Sequence, residues 1–467
     1  MLIRFGVCNH KSIREPIELN LSPSADVRRF KHHIHKFQPD SFSALRGSVI
    51  YGANASGKSN LCDAINFGKV LIKGNPPKLR NIVNPFNSSK DSIFEYELEK
   101  DGIFYLFGFS LNSKRITEEW LYLSRDSKDS EDDNILVYST KYNDGNLEFS
   151  FNKELLDNVN EKDFMYLEFI SRSKDKEKLF ISEYLDKSEA YFTNSLFDFC
   201  LYDVSNWFYD NLSVISPNSK YLDFDGDVIH DEKCKHFYLT FLKAFDTGIS
   251  DITELVLKES DLPKPVLDNV KRFIDDEFEG EPFGFTSRYN DTAYFLTVDS
   301  EANIEKISEV CFSNDNSSCE KSIFKRADLS DGTKRLIDIV PALYEAIYSN
   351  STIIVDEIDR SLHPIITKLI VEFFYDERIK PLGQFIVTTH DTGLMDQTFL
   401  RQDEIWFVQK ERDCSSIVYS LEEYERVRPD KALDKDYLNG RFGAVVNYTS
   451  AKLKLEELKN VTAIKEK

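Results

Sequence analysis

The spacing of hydrophobic and polar positions changes several times along the chain. Leu2 to Leu21 reads as short strands around a turn. Ser48-Val49-Ile50-Tyr51 is a strand pattern that leads into a glycine-containing turn, and Lys58 to about Val70 follows with helical spacing. Across 93–124, Phe94, Tyr96 and Leu98 alternate with polar residues, Asp101-Gly102 supplies a turn, and Tyr105, Phe107 and Phe109 share one face beyond it. That pattern predicts antiparallel strands. Another hairpin is expected over 135–151, with Asn143-Asp144-Gly145 at its turn. From about Glu154 to Phe278 the alternation fades, and apolar residues recur at helical spacing, as in Phe237, Phe241, Leu242 and Phe245. This stretch reads as a mostly helical insertion. Strand patterns return at 283–313, where Tyr294, Leu296 and Val298 alternate, and the final third alternates helix and strand, which suits a parallel sheet. The expected division is an N-terminal part over 1–152 with an antiparallel β subdomain, a helical insertion or lid over 153–280, and a C-terminal part over 281–467.

Composition supports a folded chain. Its 467 residues are 41% hydrophobic and 13% aromatic, the latter carried by 36 Phe and 22 Tyr, enough to bury a sizeable core and to exclude disorder. At roughly 150 residues per domain, two or three domains are expected. The net charge of −21 disfavours non-specific coating of nucleic acid, although a local basic groove stays open as a reading. The N-terminus lacks the apolar stretch of a signal peptide, and no run approaches the ~18 apolar residues of a membrane span. The 7 Cys are scattered, odd in number and without a C-x-x-C pair, so free thiols and a cytoplasmic location are expected. The basic run Arg28–Lys36 reads as a solvated loop. Its histidines lack a second ligand cluster, so no metal is expected there.

One motif carries chemistry. Gly52-Ala53-Asn54-Ala55-Ser56-Gly57-Lys58-Ser59 fits G-x-x-x-x-G-K-[ST] in full, after a strand and before a helix. Glycines let backbone N–H groups approach phosphates, and a helix N-terminus adds partial positive charge. Lys58 then reaches the β- and γ-phosphates, and Ser59 offers its hydroxyl to Mg²⁺. Downstream, Ser351–Val355 is a buried-strand pattern ending in Asp356 and Glu357. Strand ends are where α/β sheets place ligands, so Asp356 suits the Mg²⁺ shell and Glu357 suits polarising an attacking water. Leu329-Ser330-Asp331-Gly332-Thr333-Lys334-Arg335 lies just before a helix expected from near Lys334, where Ser330 and Gly332 can meet phosphate. Ser330 precedes Asp356 by 26 residues, and His390, at the end of the next apolar strand (Phe385 to Val387), follows it by 34.

In this order and spacing the set resembles an ABC-type ATPase head of the SMC/RecF kind, an α/β P-loop fold with an antiparallel β subdomain and a helical insertion. Leu329–Arg335 resembles the signature motif, Asp359 the D-loop and His390 the switch histidine, while Asn9-His10-Lys11-Ser12-Ile13 resembles the N-terminal strand motif with His10 in place of a Phe. No Q-loop glutamine is assigned. The resemblance implies ATP and Mg²⁺ as cofactors and Gly52, Asn54, Gly57, Lys58, Ser59 and Asn60 as nucleotide contacts. It also implies a homodimer or higher oligomer, in which Ser330, Gly332 and Asp359 act across two heads. Glu357 and His390 would be catalytic, and Ser59 and Asp356 metal-binding. A narrower resemblance rests on Ser330–Thr333, Ser361-Leu362-His363-Pro364, Asp403–Val408 and Gly440-Arg441-Phe442-Gly443-Ala444. These are similar to RloA/AbiL-type ATPases, whose relatives include the ATPase subunits of the Septu and PARIS anti-phage systems.

The expectation is therefore an ATP-binding and hydrolysing regulator in anti-phage defence, controlling a separately encoded effector, a nuclease by analogy. The alternative is a RecF/SMC-like DNA-repair or DNA-structure clamp, whose ATPase activity nucleic acid should stimulate with steep salt dependence. A fused toprim nuclease fits poorly, because 77 residues follow His390 without a separate acidic cluster. A transporter subunit fits poorly too, given the large insertion.

Overall fold

The computed structural model describes residues 1–24, 29–37, 42–74, 76–124, 134–143, 146–156, 161–187, 195–217, 231–278, 280–289, 292–315, 321–424 and 432–445, with 427, 452 and 456. β1 (Leu2–Cys8) and β2 (Ile17–Asn20) pair antiparallel. β3 (Ile34–Lys36) and β4 (Ser43–Leu45) form a small ribbon. β5 (Gly47–Tyr51) is buried along its whole length and runs into the phosphate-loop motif and α1 (Lys58–Ile72). β6 (Ser92–Lys100), β7 (Ile103–Leu111), β8 (Ile116–Ser124), β9 (Ile135–Asn143) and β10 (Asn146–Phe151) then meander. Together they make a seven-stranded sheet of order β10-β9-β8-β7-β6-β1-β2.

Alternation has done its work here. Phe94 pairs with Phe109, Tyr96 with Phe107 and Leu98 with Tyr105, all on the buried face. The rings of Phe94 and Phe109 stack with centroids 5.0 Å apart. This face lies against α1, where the Tyr96 hydroxyl donates to Ala64 O at 3.0 Å and accepts from Gly68 N at 3.1 Å. Asp144 and Gly145, expected at a hairpin tip, lie outside the described residues.

The stretch read as a helical insertion is more mixed. Helices Glu161–Ser173, Phe180–Lys187 and Leu196–Asn206 end in a π turn, Trp207–Asn211, which feeds β11 (Leu212–Ile215). β11 joins a parallel sheet, which the helical reading did not contain. Four residues are too few to show a period, and a short buried strand looks like a piece of buried helix. After the helix Glu232–Ala244, β12 (Asp251–Val256) is a second strand within this stretch. It pairs with β15 in an antiparallel sheet with β13 (Phe283–Tyr289), β14 (Thr292–Val298), β15 (Ile304–Asp315) and β16 (Lys321–Lys325). The helix Lys264–Glu277 packs Val266 and Val270 with Leu296 and Ile307 of this sheet.

The remainder completes the parallel sheet. It holds the helix Asp331–Tyr348, β17 (Thr352–Val355), the helix Pro364–Phe374, β18 (Gln384–Thr389), β19 (Ile405–Lys410) and β20 (Ser416–Ser420). Sheet order is β11-β17-β18-β5-β19-β20, parallel except for β20. The chain falls into two compact units, one of 1–217, 345–359 and 367–467, the other of 218–344 and 360–366. Segment 153–280 is thus shared between them, because Phe180, Phe197, Leu201 and Trp207 sit in the same core as Tyr138 and Phe107. Among the described residues, no helix is long and apolar enough to cross a membrane.

The basic run also departs from its reading as a solvated loop. Arg28 lies outside the described residues, but Lys31–His33 forms a 3₁₀ turn that drives His33 inside. His33 Nδ1 lies 2.9 Å from Glu404 Oε1, and its ring stacks on Tyr375 at 4.3 Å. A buried acid partner and two flanking rings, Phe30 and Tyr375, override the polarity of its neighbours.

Candidate functional site

Register brings the motif residues to one edge. Val355 pairs with Val387, and Val387 with Val49, so β18 and β5 end level at Thr389 and Tyr51, and β17 ends two residues before them on the same side of the sheet. The chain after β5 and the chain after β17 are two strand spacings apart, roughly 10 Å. Gly52–Ser59, Asp356–Asp359 and His390 therefore share the carboxyl edge of the sheet, where doubly wound folds bind ligands.

The phosphate loop curls through left-handed residues at Ala55 (φ 60°) and Gly57 (φ 115°). Gly57 must be glycine, since a Cβ there would also meet Ser416 Oγ at 2.2 Å. Ser416 Oγ donates to Ser56 O at 2.6 Å and lies 2.8 Å from Ser12 Oγ, and Asn60 Nδ2 donates to Ser12 Oγ at 2.6 Å. The loop is thus clamped from β20 and from the 9–13 turn. α1 starts without a side-chain cap or an acid in its first turn, so its amides and partial positive charge suit an anion. Ser56 Oγ is buried with no hydrogen-bond partner in the chain. Lys58 is 5% exposed, and its ammonium donates to Gly52 O at 2.7 Å and Ala53 O at 3.3 Å. Burial holds its pKa below the ordinary lysine value, against the pull of Asp356, Glu357 and Asp359. Asn54 and Ser59 are exposed and Asn60 is half-buried.

Across the edge, Asp356 is buried, and its Oδ1 accepts from Thr388 Oγ1 at 2.5 Å. The same hydroxyl accepts from Glu357 N at 2.8 Å. Thr388 therefore ties both carboxylate residues to β18. Glu357 holds a left-handed φ of 49°, a strained conformation for a residue with a Cβ. His390 Nε2 lies 3.2 Å from Asp359 Oδ2 with its ring half exposed, and Asp359 Oδ1 is buried without a chain partner. Hard oxygen donors such as Ser59 Oγ and the Asp356 carboxylate fit Mg²⁺ by ligand type.

Ser330 and Gly332 belong to the second unit. The helix there begins at Asp331, a turn earlier than expected, and Ser330 Oγ accepts from Thr333 N at 3.2 Å as its cap. Ser330 itself is exposed.

Sequence reasoning missed three features. Thr388 and Ser416 act through hydroxyls that carry no spacing signal. The third is a cavity of about 490 Å³ lined by Lys11, Arg14, Arg80, Asn84, Phe86 and Cys414, beside the Ser12 that meets α1. Lys11 was legible as part of the N-terminal motif, but Arg80 and Phe86 were not. His10, which stands where the resemblance expects Phe, still packs as an aromatic against Phe94 at 5.4 Å, with Nε2 3.2 Å from Asp63 Oδ2.

Residues 48–396 match the protein family described as "AAA domain, putative AbiEii toxin, Type IV TA system". No curated protein matches the sequence. Among solved structures, the chain is similar to an SMC head domain from Thermotoga maritima, at 16% identity over 90% of this chain and 98% of that one, with a TM-score of 0.33. It is also similar to an SmcHead bound to the C-winged helix domain of ScpA, at 13% identity over 90% and 97%, with a TM-score of 0.38. An Smc head with an extended coiled coil bound to the C-terminal domain of ScpA derived from Pyrococcus furiosus gives 14% identity over 90% and 97%, with a TM-score of 0.37.

Proposed function

Because the chain belongs to the AAA-domain family matched over residues 48–396, an ATP-binding class with an α/β P-loop head of the ABC/SMC-like kind, we propose that its carboxyl-edge site binds and hydrolyses ATP to regulate a separate effector. The setting we propose is bacterial anti-phage defence, with a separately encoded nuclease as the effector. One observation carries the reading. Asp356 and Glu357 follow β17, and the loop to Lys58 follows β5, two strands away in one parallel sheet with β18 between them, and the helix that Lys58 begins has no side-chain cap of its own.

In this reading Lys58 and the amides of 54, 55 and 57–59 hold phosphate oxygens, and Ser59 and Asp356 hold Mg²⁺. Glu357, its backbone pinned by Thr388, accepts a proton from the attacking water. His390, held by Asp359, meets the terminal phosphate and responds to its loss. When bound, ATP with Mg²⁺ supplies the scissile phosphoanhydride and neutralises its charge. The base and ribose would take the cavity lined by Lys11, Arg80 and Phe86, beside Ser12. The exposed Ser330, with Gly332, serves the nucleotide of a second copy, which makes the working form a homodimer or higher oligomer. The defence setting rests on the Ser361–Pro364 and Gly440–Ala444 motifs, similar to RloA/AbiL-type ATPases, and on a family description that names the AbiEii toxin and type IV TA systems.

A tagged Glu357→Gln protein, purified with ATP from cells carrying the native locus, tests this. A stoichiometric neighbour-encoded protein found by mass spectrometry is the expected result. DNA and repair proteins without such a neighbour would contradict it in favour of a RecF/SMC-like clamp.

A further inference from the structure

The C-terminal motif Gly440-Arg441-Phe442-Gly443-Ala444 lies far from the phosphate loop in sequence but touches it in space. Ala53 N donates to Ala444 O at 2.9 Å. Ala53 O, on the same residue, accepts from Lys58 Nζ. The amide and carbonyl that open the phosphate loop are therefore both committed to protein partners. Ser56 N is committed too, donating to the same Ala53 O at 3.1 Å, so the other amides of 54–59 are the ones that can face a ligand.

The segment that presents Ala444 is tightly determined. Gly440, Gly443 and Ala444 all take left-handed φ values, of 80°, 66° and 52°. At Ala444, which carries a Cβ, that conformation is strained and must be held by its surroundings. Four side chains hold it. Gln409 Oε1 accepts from Ala444 N at 2.9 Å, and the Tyr437 hydroxyl donates to Ala444 O at 2.8 Å. The Tyr419 and Tyr424 hydroxyls donate to Phe442 O at 2.6 and 3.1 Å. Gly443 leaves no room for a side chain, because a Cβ there would meet Gln409 Oε1 at 2.0 Å and Tyr419 Oη at 2.7 Å. Phe442 stacks on Phe407 at 5.7 Å, and Phe407 pairs in register with Tyr51, the residue before Gly52. A tail that merely packed would need the ring contact alone. Here consecutive backbone groups are fixed one by one, and the arrangement delivers a single carbonyl to the phosphate loop.

We propose that Gly440–Ala444 is a positioning element of the nucleotide site: the Ala444 carbonyl, aimed by Tyr437 and Gln409, fixes the Ala53 peptide so that the phosphate loop is preformed for its ligand. The inference rests on the ATP-site reading above. Tyr437 and Ala444 act through Ala53 and touch no ligand themselves.

The test is binding of a fluorescent ATP analogue with Mg²⁺ to the full chain, at a temperature where every variant is folded by circular dichroism. Tyr437→Phe keeps the ring stacked 5.7 Å from Phe407 and removes only the hydroxyl. The expected result is a Kd raised about three- to tenfold, the worth of one hydrogen bond, with an apo melting temperature within about 2 °C of wild type. Gly443→Ala should raise Kd further. Lys58→Ala is the reference for a lost phosphate contact. If wild type binds, Lys58→Ala does not, and both Tyr437→Phe and Gly443→Ala bind as wild type does, the positioning role is overturned while the ATP site stands. If wild type does not bind, the ATP-site reading falls and takes this inference with it.

Discussion

The parallel sheet buries charge at both of its edges, and the two edges treat it differently. At the amino edge, around the starts of β5 and β19, each carboxylate has a partner within the chain. Arg401 Nε and NH2 grip Asp403 at 2.8 and 2.5 Å, and Arg401 N donates to Glu404 Oε2 at 2.8 Å. His33 completes the set against Glu404 between two rings. At the carboxyl edge the backbone is strained at Ala55 and Glu357, Ser56 Oγ and Asp359 Oδ1 are buried without chain partners, and Asn54, Ser59 and His390 face solvent. A strongly shifted ionisable group does not by itself mark a site, since structural networks shift pKa values as well. Strand direction separates the two, because helix N-termini and open loops collect only at the carboxyl ends.

That contrast can be broken by substitution. The largest effect is expected from Arg401→Met, which leaves Asp403 buried without its paired cation. A loss of about 3–5 kcal/mol in chemical denaturation, with ATP affinity unchanged at temperatures where the protein is folded, is the expected outcome. Weakened ATP binding in the folded variant would join the two edges into one functional unit. Next comes Lys58→Ala, which should weaken ATP binding roughly a hundredfold by isothermal titration while leaving the urea midpoint nearly unchanged.

A smaller, pH-dependent effect belongs to the amino edge. Burial, helped by the Arg401 and Arg46 charges, lowers the His33 pKa to about 3, against the pull of Asp403. Glu404 faces the same ring and is itself raised by burial, and His32 lies beside it. A histidine held neutral in the folded state gives stability that is present above its ordinary value of 6.5 and lost as pH falls toward about 3, because the unfolded chain takes up the proton first. The melting temperature should therefore drop between pH 7 and 5 more in wild type than in His33→Phe. Equal drops would remove His33 from the acid response. Smallest of all is Asp376→Ala. Its pair with Arg378 is solvent-exposed, and no change in melting temperature beyond measurement error is expected.

What could be read from residues alone follows from range. The β5–loop–α1 unit and the β6–β8 meander were legible because motif and alternation are local, and the paired rings Phe94/Phe109 and Tyr96/Phe107 fall where period two puts them. β11 was not legible, since Leu212-Ser213-Val214-Ile215 is a four-residue strand at the end of a helical run. His33 sits in a basic stretch, and only the distant Glu404 and Tyr375 make it interior. Most of the candidate site residues were visible in motifs. The contacts that orient them were not, because Thr388 meets Asp356, and Ala444 meets Ala53, across long loops that no spacing rule spans.

The central claim is that the carboxyl edge hydrolyses ATP through Glu357. Single-turnover hydrolysis of labelled ATP by wild type and Glu357→Gln, with bound nucleotide quantified alongside, tests it most directly. The account predicts that Glu357→Gln retains ATP in a stable dimer while cleavage slows roughly a hundredfold or more. Cleavage by Glu357→Gln at the wild-type rate, with nucleotide equally bound, would contradict it.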